Sequence, residues 1–364
     1  MSGKNLNPIV LLQLMMQYND DSPDESTRIF MFNRNYRIRI HHETDEESKK
    51  RKSRLSSETK QTAKKVTKEL LKKSLKGQLG KVWVDPKMKK IAVPLEMATG
   101  NSGYGVLPTG SRIDIPEGQF IRAFTYWWGV NDIDISVFAI TLDGRQEEFS
   151  WRNMWNKQSH EIAFSGDQTS GYEGGCEYFD IDFELFHKNH PDFRYLIFCN
   201  NVYSGIDFSK CNCFAGFMIR EQDPHDVPIW KGERDPKSYQ YNGRKIFDPK
   251  TVATSFRITA DTTFCHLFAI DLETREMIWL NMARKDRSII AGNSPMDFLL
   301  RVCKATDVFS MYDLYTWAGE QVDSPEEADI IVGDDEIKGL LREDQEWIHS
   351  WDFEKMLKLL NPGS

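Results

Sequence analysis

The chain has 364 residues, of which 40% are hydrophobic, 12% aromatic and 28% charged. A chain of this length and apolar content can bury a substantial core, which excludes a wholly disordered protein. Its apolar runs, such as Ile9–Leu12, are far shorter than the about 20 residues that cross a bilayer. A formal net charge of −8 excludes a protein that coats nucleic acid along its whole surface, but it leaves room for a local basic patch.

The number and spacing of the cysteines favour a reducing compartment. Six cysteines are scattered along the chain, without the dense spacing that small secreted domains use for disulfides. The N-terminus also lacks the basic, apolar and small-residue order of a signal peptide. We therefore expect free thiols and a cytoplasmic protein. The close pair Cys211 and Cys213 has no second Cys or His pair nearby, which makes it a poor zinc signal.

The first 80 residues predict a small α+β region. Residues 8–18 have a helix-like apolar pattern, and Ile29–Phe32 with Tyr36–Ile40 predict the strands of a hairpin. Residues 49–76 carry twelve Lys or Arg against two Glu, a local charge of +10 that leaves −18 on the rest of the chain. An amphipathic helix is predicted in the second half of this basic segment, from apolar residues at helical spacing: Val66, Leu70, Leu71 and Leu75.

Residues 81–305 predict a β-sandwich core. Short apolar runs alternate there with turn residues, and few intervals could hold a long helix, which argues against a parallel βαβ sheet. The predicted strands are Lys81–Val84, Lys90–Val93, Phe120–Trp128, Ile133–Leu142, Tyr195–Val202, Cys213–Ile219, Val252–Ile258, Phe264–Ile270 and Met277–Met282.

Residues 306–364 predict an acidic, mostly helical C-terminal segment. Its apolar stripe is formed by Trp347, Trp351, Phe353, Met356 and Leu360. The predicted fold class is therefore mainly β: a sandwich over residues 81–305, a smaller α+β region over residues 1–80, and this C-terminal segment.

The sequence contains no signature of a known catalytic site. It has no G-x-S-x-G elbow, Walker A loop, H-E-x-x-H motif or protein-kinase set, and its eight histidines are dispersed. No nucleophile and base can be named as a pair. We therefore predict a protein without enzymatic activity.

Two carboxylate clusters carry the strongest chemical signal. Asp132 and Asp134 open a predicted strand and lie on the same face of it, where their charges repel unless a cation or water separates them. The glycine-rich loop from Ser165 to Glu177 adds the carboxylates of Asp167, Glu173 and Glu177, together with hydroxyls and backbone carbonyls. Hard oxygen ligands on a flexible loop are what Ca²⁺ prefers, whereas an ordinary acidic loop is the alternative.

These residues resemble a known family. Asp132–Ser136 (DIDIS) resembles the D-L-D-x-S strand of the tellurium-resistance TerD family, and Ser165–Gly171 (SGDQTSG) is similar to its S-G-D-N-x-T-G loop. Tyr195–Tyr203 and Cys213–Arg220 continue in the family's order. Across roughly residues 28–330, the chain most resembles the C-terminal part of larger TerD-like proteins that carry extra N-terminal modules.

The resemblance implies a TerD-like β-sandwich that binds Ca²⁺ through Asp132, Asp134, Asp167 and Glu177. It also implies a role in stress resistance or defence, alongside other Ter-type proteins and without established catalysis. One departure stands out: Gly175 and Cys176 occupy positions where the family loop has two aspartates. Because each missing carboxylate weakens the attraction for a hard dication, calcium binding is expected to be weaker or lost at one site.

Two other functions stay open. A metal-independent interaction or scaffold module would use the sandwich and the aromatic C-terminal stripe as docking surfaces. A nucleic-acid-associated factor would use the basic segment 49–76, but this segment has no interleaved aromatic residues for base stacking, so we favour a solvated helix face there.

Overall fold

The computed structural model divides the chain into two compact units. Unit 1 comprises residues 1–28, 41–112 and 301–364, and unit 2 comprises residues 29–40 and 113–300. The structure describes residues 7–18, 27–32, 37–42, 56–93, 109–130, 132–142, 145–157, 159–172, 174–203, 206–220, 254–258, 261–284, 299, 302–303, 305–350 and 352–361. Residues 49–55 of the basic segment, Trp351 of the predicted stripe and Glu173 of the glycine-rich loop lie outside the described residues.

In the described residues, strands outnumber helices, and most of these elements are short. The helices are α1 (Pro8–Tyr18), α2 (Ser57–Leu75), α3 (Met154–Lys157), α4 (Phe183–Asn189), α5 (Ala305–Val308), α6 (Met311–Ala318) and α7 (Phe353–Leu360). The strands are β1 (Thr27–Phe32), β2 (Arg37–His42), β3 (Lys81–Val84), β4 (Arg112–Asp114), β5 (Phe120–Trp128), β6 (Ile133–Thr141), β7 (Gln146–Phe149), β8 (Ile162–Phe164), β9 (Gly175–Asp182), β10 (Phe193–Val202), β11 (Asn212–Arg220), β12 (Thr254–Ile258), β13 (Phe264–Asp271), β14 (Glu276–Arg284), β15 (Glu320–Gln321), β16 (Ile330–Gly333) and β17 (Glu346–His349). Short 3₁₀ helices cover Pro86–Lys90, Phe208–Lys210, Pro325–Glu327 and Asp335–Leu340.

Most strands of unit 2 belong to two sheets. The first has six strands in the order β4-β14-β13-β10-β6-β7, and the second has five in the order β12-β11-β5-β9-β8. β10 pairs antiparallel with β6 and β13, and β5 pairs antiparallel with β9 and β11. The prediction of a mainly β fold is confirmed, and the strands from β5 to β14 include all those predicted between residues 120 and 282.

The two large sheets of unit 2 face each other. The backbone N–H of Ile135 in β6 donates to Glu177 in β9 at 2.9 Å, and Asn200 in β10 donates to Thr125 in β5. The rings of Phe217 and Phe268 also meet edge to face across the gap, 6.4 Å apart. Each large apolar side chain buried there contributes about 1.5–3 kcal/mol, so this two-sheet core is a rigid support for the residues on its edges.

Unit 1 contains a parallel sheet of four strands in the order β15-β3-β16-β17. Ile331 in β16 pairs with Trp83 on one side and with Trp347 on the other. The prediction placed Lys81–Val84 in the sandwich and described residues 306–364 as mostly helical. In the structure, β3 instead pairs with strands of the C-terminal segment, and Trp347 lies in β17.

The physical reason is the length of these strands. β16 and β17 have four residues each, too few for a period-2 pattern to be distinguished from a helical one. Only pairing identifies them as strands: β16 pairs with β3, which is distant in sequence, and β17 pairs with β16.

Helix α2 confirms the amphipathic helix predicted in the basic segment. Ser56 caps it by accepting a hydrogen bond from the N–H of Thr59. Leu71 and Leu75 are buried, but Val66 is exposed, so the buried face is narrower than the predicted stripe. The ammonium groups of Lys68 and Lys72 lie over the ring of Trp317, 5.4 and 5.0 Å from its centre. These two lysines therefore stabilise unit 1, whereas the nucleic-acid hypothesis stays a prediction.

None of the helices in the described part of the chain combines the length and the apolar composition that a membrane crossing requires.

Candidate metal centre

The start of strand β6 positions the first two carboxylates. Asp132 directly precedes the strand, and the strand alternation places Asp134 on the face opposite Ile133 and Ile135. The pairing of β7 with β6 ends at Val137, so the first residues of β6 form a free sheet edge on that side. This edge leaves the N–H of Ile135 available to a side chain.

Glu177 in β9 occupies that edge. Its carboxylate accepts hydrogen bonds from the N–H of Ile135 at 2.9 Å and from the N–H of Gln168 at 2.9 Å. The side chain is completely buried. Glu177 therefore joins strand β6 to the glycine-rich loop and holds both in a fixed position.

The glycine-rich loop is organised by Gln168. Its side-chain amide donates to the carbonyls of Ser170 and Gly174 and accepts from the N–H of Cys176. Gly174 has a φ of 118°, a backbone conformation that residues other than glycine rarely adopt. The loop is thus closed by its own hydrogen bonds, and it places Asp167 beside the strand carboxylates.

All four predicted ligands meet at this point. Each of Asp132, Asp134, Asp167 and Glu177 offers one carboxylate oxygen, and these four oxygens lie within 4.8 Å of one another. Among the residues that the structure describes, it is the one group of three or more His, Cys, Asp or Glu side chains that meets this geometry.

Two of these carboxylates have an oxygen without a partner. Oδ1 of Asp132 and Oδ1 of Asp167 are both buried, and no hydrogen-bond donor contacts either of them. The residue Asp132 is only 8% exposed. An unpartnered buried carboxylate oxygen is costly, because it has lost water without gaining a donor or a cation. A cation between these oxygens would remove that cost.

Without a cation, the site holds its protons more tightly than usual. Burial, together with the nearby charges of Asp134 and Asp167, raises the pKa of Asp132 to about 7. Burial also raises the pKa of Asp134 to about 6, although the hydrogen bond from Asn201 opposes the rise. The pKa of Asp167 is raised by burial, and that of Glu177 lies well above its usual value because of burial and the charge of Asp134.

The ligand chemistry selects a class of cation. The cluster consists only of carboxylate oxygens, which suit hard divalent cations and not thiophilic metals. Asp132, Asp134, Asp167 and Glu177 can therefore hold a metal ion of that class.

The two departures from the TerD loop motif have different structural positions. A β-carbon at Gly175 would lie 2.5 Å from the indole ring of Trp127, so an aspartate cannot occupy this position unless Trp127 moves. Cys176 is buried in a cluster with Phe124 and Tyr178, on the face of β9 opposite Glu177. Neither residue therefore supplies a side-chain ligand to the cluster.

Sequence reasoning missed two supporting residues, Gln168 and Asn201. Asn201 donates to Oδ2 of Asp134 at 3.1 Å from the neighbouring strand β10. Asparagine is depleted in strands, so Asn200 and Asn201 in the middle of an apolar run were the signal for a polar partner. The role of Gln168 depends on the conformation of the loop, which the sequence does not reveal.

Strand β9 also carries a second buried carboxylate. Asp180 accepts two hydrogen bonds from the guanidinium of Arg122 in β5, at 2.7 and 2.6 Å, and both side chains are buried. The guanidinium carbon also lies 3.7 Å from the centre of the Tyr178 ring. This pair supplies its own cation.

Comparison of the chain with known protein families, with curated proteins and with solved structures finds no match. The similarity to TerD proteins therefore consists of the short motifs and their order along the chain.

Proposed function

We propose that this chain is a TerD-like, non-enzymatic calcium-binding protein that acts through partner proteins in a stress-resistance or defence response. The observation that carries the proposal is the meeting of four carboxylate oxygens within 4.8 Å, drawn from two strands and one loop. Without a cation, four such groups would repel one another in a mostly buried site.

We propose calcium instead of magnesium because the resemblance to the TerD motifs implies a Ca²⁺ site. Ca²⁺ binds oxygen at about 2.3–2.6 Å, so two ligands on opposite sides of the ion are about 4.6–5.2 Å apart, whereas the shorter Mg²⁺–oxygen distance of about 2.0–2.1 Å gives about 4.0–4.2 Å. Four oxygens that lie within 4.8 Å of one another are compatible with either spacing, so the choice of Ca²⁺ follows from the motif resemblance.

The proposal includes a single cation. The family loop supplies two further carboxylates, but the space beside Gly175 is occupied by Trp127, and Cys176 lies on the other face of β9. The four carboxylates that remain surround one point. We therefore propose one calcium ion in this chain.

The biological part of the proposal follows from the motif resemblance. TerD-like proteins function in stress resistance with other Ter-type proteins, and we propose such partners for this chain in the cytoplasm. The six cysteines are all free and buried, which is compatible with a reducing compartment.

Calcium-dependent thermal unfolding of the full chain tests the proposal. At a free Ca²⁺ concentration of about a hundred times Kd, binding stabilises the folded state by about 2.7 kcal/mol, which corresponds to an increase in Tm of about 5–10 °C. Mg²⁺ at the same concentration should give a smaller increase. No increase in Tm at millimolar Ca²⁺ would remove calcium from the function.

A variant with two ligands changed identifies the site. Asp134→Asn combined with Asp167→Asn should abolish the Ca²⁺-dependent increase in Tm, since half of the ligands lose their charge. Asp192→Asn is the matched control, because Asp192 is an exposed aspartate of unit 2 that pairs with Arg145. If the double variant folds and captures partners as the wild type does with and without Ca²⁺, the chain is a metal-independent interaction module.

A further inference from the structure

Exposed aromatic side chains gather at the loops around the metal centre. Trp151, Tyr172 and Tyr203 are 39%, 63% and 67% exposed. Among the described residues, the other large hydrophobic side chains with comparable exposure are aliphatic: Val10, Val66, Leu142 and Leu340. Exposed single hydrophobic residues are common, but a shared location of all three aromatic ones requires an explanation.

Backbone hydrogen bonds place two of these residues beside the site. The N–H of Tyr203, at the end of β10, donates to the carbonyl of Asp132 at 3.2 Å. The carbonyl of Tyr172 accepts from the N–H of Gly129 at 3.2 Å, and Tyr172 lies in the same glycine-rich loop as Asp167. Both tyrosines are therefore attached to segments that carry ligands.

Strand register places Trp151 at the same end of the two-sheet core. Phe149 in β7 pairs with Val137 in β6, and the antiparallel direction then carries the chain toward the beginning of β6, where Asp134 lies. Arg152, the next residue, is close enough for its positive charge to act on Asp134. Trp151 thus lies on a third loop at the same end of unit 2.

A bound cation would have coordination positions open to the outside. Ca²⁺ takes about six to eight oxygen ligands, more than four carboxylates supply when each offers one oxygen. Asp167 is the least buried of the four ligands, so the glycine-rich loop is the side of the cluster that is closest to solvent. Phosphate oxygens can fill such positions. Without the cation, the same carboxylates repel any anionic surface.

The aromatic residues indicate what supplies those oxygens. Tyr and Trp combine an apolar ring with a polar tip, and they are enriched where proteins meet the headgroup region of a membrane. The three aromatic residues come from three separate loops at this end of unit 2. A protein partner is usually held by a continuous desolvated cluster, whereas lipid headgroups can fill the spaces between separate rings.

We propose that this end of unit 2 docks on an anionic phospholipid surface when Ca²⁺ is bound. The cation links the four carboxylates to headgroup phosphate oxygens, while Trp151, Tyr172 and Tyr203 enter the headgroup layer. This inference rests on the proposed calcium site and adds the partner of that site. It also makes membrane association reversible, because removal of Ca²⁺ restores the repulsion between the carboxylates and the lipid.

Vesicle co-sedimentation of the full chain tests the inference. Vesicles of phosphatidylcholine with phosphatidylserine should bind the chain in the presence of Ca²⁺ and release it when a chelator is added. Vesicles of phosphatidylcholine alone should bind it about tenfold more weakly, since their surface has no net negative charge. Equal binding with and without Ca²⁺, or no binding to either vesicle, overturns the inference.

The aromatic contribution is tested with variants outside the ligand set. Tyr172→Ser with Tyr203→Ser should weaken vesicle binding by about tenfold, because two rings no longer enter the interface. Leu142→Ser is the control: Leu142 is 58% exposed and follows the opposite end of β6. Both variants should keep the Ca²⁺-dependent increase in Tm. Vesicle binding unchanged in the tyrosine variant overturns the inference.

The outcomes separate this inference from the proposed function. A Ca²⁺-dependent increase in Tm without vesicle binding leaves the calcium site in place and removes the lipid. If Ca²⁺ does not increase the Tm, both the calcium site and the lipid docking are rejected. If Ca²⁺ causes the chain to sediment as a dimer without vesicles, and the tyrosine variant does not, the occupant is a second copy of the chain and the lipid is rejected.

Discussion

Strand β9 carries buried carboxylates on both of its faces, and Asp180 and Glu177 have different surroundings. Asp180 lies on one face, opposite Arg122 in the register of β5 and β9, and receives two hydrogen bonds from that guanidinium. Glu177 lies on the other face, opposite the neutral Thr125, and receives only backbone N–H groups. One carboxylate has a cation within the protein, and the other meets three more carboxylates.

The difference between the surroundings of Asp180 and Glu177 indicates where a cation from outside the protein is needed. A buried charge is tolerated when a partner of opposite sign is built into the fold. At Asp180 the neighbouring strand supplies that partner. At Glu177 the nearest charged groups have the same sign, and the pKa of the group rises well above its usual value because of burial and the charge of Asp134. A proton or a metal ion must therefore complete the site.

The internal pair should give the largest effect when it is broken. Arg122→Met leaves Asp180 buried without its cation, which should lower the free energy of unfolding by about 3–5 kcal/mol. Urea denaturation monitored by circular dichroism measures the loss. Adding Asp180→Leu to this variant should restore most of the stability, since both charges are then absent. Arg145→Met is the control, because Arg145 is an exposed residue whose ion pair with Asp192 is worth about 0–1 kcal/mol.

Without Ca²⁺, the contribution of the cluster to the free energy of unfolding should depend on pH in the opposite direction from that of an ordinary salt bridge. The pKa values of Asp132 and Asp134 are raised to about 7 and about 6, chiefly by burial, so the folded protein without Ca²⁺ binds protons that the unfolded chain has released. Stability from this source is complete below the unfolded pKa of about 4 and is lost as the pH rises through 6 to 7.

Calcium and protons then compete for the same oxygens. The Kd for Ca²⁺ should be about tenfold larger at pH 5.5 than at pH 7.5, because at the lower pH binding must displace about one proton. Calorimetric titration at the two pH values measures this difference. Saturating Ca²⁺ should also abolish the loss of stability between pH 5.5 and pH 8. Equal affinity at both pH values would contradict the competition.

The smallest expected effect is a change in the free energy of unfolding that has opposite signs in the two carboxylate environments. Without Ca²⁺ at pH 8, Asp132→Asn should raise the free energy of unfolding by about 1 kcal/mol, because it removes one of the repelling charges. Asp180→Asn should lower it, because Arg122 loses its partner. Thermal unfolding of both variants in the presence of a chelator tests this contrast. Destabilisation by Asp132→Asn under those conditions would mean that the cluster is held together by another cation.

The resemblance to the TerD motifs supplied the four candidate ligands. Strand alternation places Asp132 and Asp134 on one face of a strand, the glycine-rich loop carries Asp167 and Glu177, and carboxylate oxygens of all four residues lie together in the structure. The reason that Gly175 departs from the TerD motif required the structure. Trp127 fills the space that a side chain at this position would need, and nothing in the local sequence links these two residues.

The parallel sheet of unit 1 could not be predicted from local patterns. β16 reads as a short apolar run between turn residues, and β3 reads as one more strand of the following core. Their pairing joins residues such as Val82 and Ile330, which are 248 positions apart in the chain. Single-sequence patterns describe neighbours along the chain, so a partner this distant gives no signal.

That separation also has a consequence during synthesis. A ribosome adds about 5–20 residues per second, so β16 is synthesised about 12–50 s after β3, and β3 has no partner strand during this time. Residues 113–300 of unit 2 are completed in this interval and can close their own sheets first. During the same time, the unpaired edge of β3 exposes Val82 and Val84, which are buried once the parallel sheet forms. Nascent chains arrested before residue 330 should therefore be the form of this protein that most needs a chaperone.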